Sequence, residues 1–144
     1  MKVDFWQLSN DPVEKVVALI AQRVLDSGER LLVVSADPDQ REAISRGLWN
    51  SGPESFLAHG DAAGAQPEAQ PILLSDSPEP ANRASHVIYA DGAWRDAPGF
   101  ARSFLLFDAA TLEQARATWR SLDGTDDLER SFYRQDGGKW VKVA

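Results

Sequence analysis

Arg116 and Arg120, four residues apart with Trp119 between them, are the side chains of this sequence best suited to chemistry. Residues four apart on an α-helix are neighbours, so the two guanidiniums would stand side by side next to the indole. That chemistry is recognition rather than bond breaking. A guanidinium meets a carboxylate bidentately, and an indole offers apolar contact area. Such a surface suits a peptide bearing carboxylates and an apolar end. A plainer arrangement of the same residues also stands: Trp119 in the core, the arginines on a solvated edge, and Glu113 paired with Arg116.

Catalytic chemistry finds little support. His59 and His86 are the two histidines, and neither has a further metal ligand at short spacing, so both read as structural or solvent-exposed. With no cysteine there is no thiolate, disulfide or cysteine metal site. Asp37/Asp39 and Asp123/Asp126/Asp127 read as a helix cap and a solvated loop; the second group lacks the alternation and distal glutamate of a calcium loop. No Gly-x-Ser-x-Gly elbow occurs, and no glycine-rich loop ends in Lys-Ser or Lys-Thr. The turn Leu8-Ser9-Asn10-Asp11-Pro12 has no glycine to let backbone amides wrap a phosphate. No catalytic residue, metal or cofactor is expected. The rival readings are a nucleotide-binding α/β enzyme with an atypical phosphate loop and a subunit of a stable homo-oligomer.

The elements that must position the arginine pair follow from periodicity. Residues 2–8 are rich in strand formers. Ser9-Asn10-Asp11-Pro12 then predicts a capped helix start, and Val13, Val17, Ile20 and Val24 line one buried face until Gly28 stops the helix. The apolar run 30–35 predicts a strand covered on both faces, parallel to the first across a β-α-β unit. Asp37-Pro38-Asp39 opens a second helix to about Trp49, ended by Ser51-Gly52-Pro53. Residues 60–70 predict a flexible surface loop. Strands are expected at 71–74, 86–89 and 104–107, a loop at 75–85, and the last long helix at 109–122. On that helix Leu112, Ala115, Trp119 and Leu122 form one apolar seam. The runs 131–134 and 139–143 flank Gln135-Asp136-Gly137-Gly138 and predict a closing hairpin. The expected fold is a three-layer α/β/α domain over 1–144, with a mostly parallel central sheet.

Composition narrows the partners. Of the 144 residues 43% are hydrophobic and 26% charged, as in a folded domain. A net charge of −7 repels a phosphate backbone, so broad nucleic-acid binding is not expected. No apolar run is long enough to cross a membrane, and the first residues do not form a secretory signal. The lack of cysteine agrees with a cytoplasmic location.

The chain resembles the chi subunit of the bacterial DNA polymerase III holoenzyme along nearly its whole length. The best matches are Gly47-Leu48-Trp49 leading into Glu54-Ser55-Phe56-Leu57-Ala58-His59, and the helix Ala115-Arg116-Ala117-Thr118-Trp119-Arg120. The resemblance implies a non-catalytic adaptor. Chi-family proteins use the C-terminal helix to hold the acidic, phenylalanine-ended tail of single-stranded DNA-binding protein, tying the clamp loader to coated template. Arg116 and Arg120 fall where the family has basic tail-binding residues, and Trp119 where it has an aromatic one. Leu112 departs from the pattern, lying where some members have a lysine; that loss weakens long-range attraction for an acidic tail. The family's second surface faces the psi subunit, or a helicase partner competing for the same place. Phe56 matches an aromatic residue there, with Trp49 close in sequence. Core packing is the alternative for both, and for Trp49 it is the expected one.

Overall fold

Strand β1 (Lys2–Gln7) shows why this sequence makes a three-layer fold. Its inner four residues are buried, with Val3 and Phe5 on one side and Trp6 on the other, so both faces must be covered. The computed structural model describes residues 1–51, 57–136 and 138–144. Helices α1 (Val13–Asp26) and α2 (Pro38–Trp49) cover the Trp6 side, and α3 (Leu112–Ser121) covers the Phe5 side.

The remaining strands are β2 (Leu31–Val34), β3 (His59–Asp61), β4 (Ile72–Ser75), β5 (His86–Tyr89), β6 (Arg102–Phe107), β7 (Glu129–Asp136) and β8 (Lys139–Lys142). Among the described residues they form one sheet, in the order β3-β4-β2-β5-β6-β1-β7-β8. All neighbours pair in parallel except the antiparallel β7–β8 hairpin. β1 and β2 run parallel as the β-α-β pattern predicts, but β5 and β6 lie between them. The apolar run of β2 is buried at every position, as a central parallel strand requires. No helix among the described residues is long and apolar enough to cross a membrane.

Two helix starts differ in mechanism. At α2, the Asp37 side chain accepts a hydrogen bond from the Asp39 N–H at 2.9 Å, and Pro38 occupies the first turn, as the sequence predicts. Asp37→Ala should cost about 1 kcal/mol, read as a lower urea midpoint with an unchanged slope. At α1 no side chain caps the helix. Asp11 instead accepts from Lys15 at 3.2 Å and from Gln135 at 2.7 Å, which ties the helix start to β7. The other end of α1 behaves as expected: Gly28 takes φ +82°, and the Gly28 and Glu29 N–H groups bond back to Leu25 and Val24. α2 packs closely on α1 at Gly47, where a Cβ would lie 3.0 Å from that of Glu14.

The expected loop over residues 60–70 needs correction. Gly60 and Asp61 belong to edge strand β3, paired with Leu73 and Leu74, and a 3-10 turn follows at Pro67–Ala69. A three-residue strand with no apolar period leaves no local signal. It exists because β4 offers an edge to pair with.

Candidate functional site

The segment carrying Arg116 and Arg120 is anchored at its start by Asp108. Its carboxylate accepts from the Ala110 and Thr111 N–H groups at 3.0 and 3.2 Å, and the Thr111 hydroxyl accepts from the Asp108 N–H at 3.0 Å. This reciprocal cap opens a 3-10 turn, Ala109–Thr111, so the regular helix begins at Leu112 rather than at 109. Ala115 is buried, while Leu112, Trp119 and Leu122 are half-buried against the cluster around Phe5 and Phe107. The predicted seam is therefore the face that docks α3 on the sheet.

Both sequence readings of Trp119 are partly realised. Its ring packs edge-to-face on Phe5 at 5.1 Å and on Phe132 at 6.0 Å, as a core residue would. It also lines a surface depression of about 230 Å³, together with Arg116, Arg120, Phe132, Val143 and Ala144. Phe132 and Val143 are held together by the ladder bond from the Val143 N–H to the Phe132 carbonyl, 2.8 Å. The structure thus brings the three predicted residues to one cavity with an apolar floor. Arg116 bonds Glu113 at 3.2 Å, but both side chains are mostly exposed, at 57% and 80%. Arg120 is exposed and has no ion pair or side-chain hydrogen bond among the described residues.

Sequence reasoning missed two contributors. Phe132 was expected in a strand, but nothing local points it at α3. Arg130 stands with its guanidinium carbon 4.2 Å from the centre of the Trp119 ring. Its Nη1 donates to the Trp119 carbonyl and its Nη2 to Asp123 at 2.9 Å. These contacts span the turn between α3 and β7, where no helical or strand period connects the residues.

Trp49 lies elsewhere, at the end of α2 on the opposite face and near the β3 edge. It is 56% exposed, which overturns the core-packing expectation. Its ring sits 4.6 Å from that of His59. His59 is fixed in turn: Nδ1 donates to the Leu57 carbonyl at 3.0 Å, and Nε2 lies 2.7 Å from the Ser45 hydroxyl. Phe56 lies outside the described residues. His86 opens β5 against the Phe104 ring, and burial, with the nearby Arg102 charge, pushes its imidazole below the ordinary range against the pull of Glu29. Among the described residues no three metal-ligating side chains cluster.

Open α/β sheets hold nucleotides at the carboxyl ends of their strands. Here that crevice, about 290 Å³, is lined by the carboxylates Asp11, Asp91 and Asp108. Asp91 is half-buried, which works to raise its carboxyl. The Arg95 fork, at 2.6 and 2.8 Å, and the N–H groups of Ala36 and Ala93 outweigh that and hold it below the usual range. Hydrogen bonds from Gln135 and Lys15 likewise hold Asp11 down. Carboxylates line the place of a phosphate, and the cations beside them are already engaged, Arg95 by Asp91 and Lys15 by Asp11, the reverse of what a nucleotide site needs.

The sequence profile of a family described as DNA polymerase III chi subunit, HolC, matches residues 1–126. That span holds Arg116, Trp119 and Arg120 and ends before Arg130, Phe132, Val143 and Ala144. Over 83 residues the chain is 25% identical to the "Probable DNA polymerase III subunit chi" of Rickettsia prowazekii (strain Madrid E). The alignment covers 58% of this chain and 50% of the relative, so the chain spans half the length of that curated relative. With its profile matched across helices α1 to α3, the chain belongs to the DNA polymerase III chi subunit family.

Proposed function

We propose that the chain is a cytoplasmic, non-catalytic accessory subunit of the DNA polymerase III clamp-loader assembly. It binds the acidic C-terminal tail of single-stranded DNA-binding protein and so links coated template to the replicase. The observation that carries this reading is the depression beside α3: Arg116 and Arg120 lie beside an apolar floor of Trp119, Phe132 and Val143. A phenylalanine side chain fits the floor, and the acidic residues before it meet the guanidiniums. The chain's net charge of −7 works against the encounter, so the pairing acts at contact distance rather than through long-range steering.

Titration with a peptide copying that tail tests the reading. Micromolar binding, about 8 kcal/mol, that weakens as salt rises is expected. Undetectable binding at low salt overturns it. Because Glu113 competes for Arg116, Glu113→Gln should tighten the peptide roughly two-fold at low salt and have no effect at high salt.

The exposed Trp49, with Phe56 near it in sequence, is proposed as the surface for a psi-like subunit or a competing helicase partner. Because α2 and α3 lie on opposite faces of the sheet, this partner and the tail could bind together.

A further inference from the structure

Arg130 carries a cation into the neighbourhood of the depression without lining it. Its side chain is 23% exposed, and both of its terminal nitrogens already donate. Asp123 takes Nη2 and the Trp119 carbonyl takes Nη1. That carbonyl belongs to the last turn of α3, where acceptors lack intrahelical partners. The flanking carbonyls of Thr118 and Arg120 receive the N–H groups of Leu122 and Asp123, and Arg130 fills the place between them. The same guanidinium lies over the indole, so one side chain fixes both the backbone and the ring of Trp119.

Phe5 and Phe132 meet the ring edge-to-face, at interplanar angles of 79° and 83°. Such contacts fill space around an indole but hold its rotation weakly, because each is one shallow minimum. A doubly hydrogen-bonded guanidinium over the ring adds direction. We propose that Arg130 is a positioning residue that sets the orientation of Trp119, so that the rest of the ring forms the wall of the depression. It thereby governs tail affinity without touching the tail. The inference rests on the depression being the peptide site.

The test combines peptide titration with fluorine NMR of the 5-fluorotryptophan-labelled full chain, the Trp119 resonance being assigned by Trp119→Phe. Arg130→Ala should shift that resonance in the free protein. It should also weaken the peptide about five-fold, by the same factor at low and high salt. Arg130→Lys, which keeps a cation but loses the planar fork, should fall between Arg130→Ala and the unchanged chain in both readouts. An unmoved resonance with unchanged affinity overturns the proposal. So does a loss of affinity that fades with salt as it does for Arg120→Ala, since that marks direct contact with the tail. If Arg130→Ala fails to fold, Asp123→Ala removes an exposed acceptor and releases one anchor; a resonance unmoved in that variant overturns the proposal equally. A wild-type chain that ignores the peptide sinks the peptide-site reading, and the free-protein resonance still reports on Arg130.

Discussion

The double variant Arg116→Ala/Arg120→Ala binds the acidic tail peptide roughly 30-fold more weakly than the unchanged chain at low salt, about 2 kcal/mol. Both guanidiniums are largely solvated before binding, so each contact with a carboxylate contributes about 1 kcal/mol rather than the larger value of an enclosed pair. The loss should shrink as salt rises and should disappear against a peptide whose acidic residues are replaced by amides. Folding is not at stake, because neither side chain belongs to the buried clusters. Calorimetric titration and the thermal midpoint separate the two. A variant that binds as tightly as its parent would remove the arginines from the proposed role.

Arg102→Ala should lower stability by about 3 kcal/mol at neutral pH, through Asp4. Asp4 sits in the middle of β1 with its side chain 3% exposed, and Arg102 is its ion-pair partner through both Nε, at 2.8 Å, and Nη2. Burial pushes the Asp4 carboxyl above its ordinary 3.8, although Arg102 opposes that strongly, with smaller help from Lys2 and Lys142. A carboxyl whose folded pKa exceeds its unfolded value is stabilising in its protonated form. That contribution is present below the unfolded value and is lost as pH rises through the folded one. Removing Arg102 raises the folded value further, so the deficit is greatest at neutral pH and shrinks towards acid. Urea unfolding at neutral pH and at about pH 5 reads it. Arg102 also lies 5.0 Å from the centre of the Phe104 ring, and that lost packing does not vary with pH. A deficit equal at both pH values would therefore assign the whole effect to packing and none to the buried charge.

Those two predictions draw on different kinds of information. The helix with Arg116 and Arg120 was legible because its apolar seam and its arginine pair both follow helical spacing. Asp4 carried no such signal. Its partner lies 98 residues away on β6, and the pairing exists because β1 lies against that strand in register.

The same divide runs through the molecule. Residue order alone announced the stop of α1 at Gly28, the cap of α2 at Asp37, the buried run of β2 and the closing hairpin. Each rests on hydrogen bonds or side-chain periods spanning a few residues. The resemblance to the chi family likewise came from short ordered matches. Strand order, the draw of Gln135 on Asp11, the edge strand His59–Asp61, the exposure of Trp49 and the place of Arg130 over the Trp119 ring depended on the folded chain. Each joins groups that only the packed sheet brings within reach, and a local pattern carries no record of a distant partner.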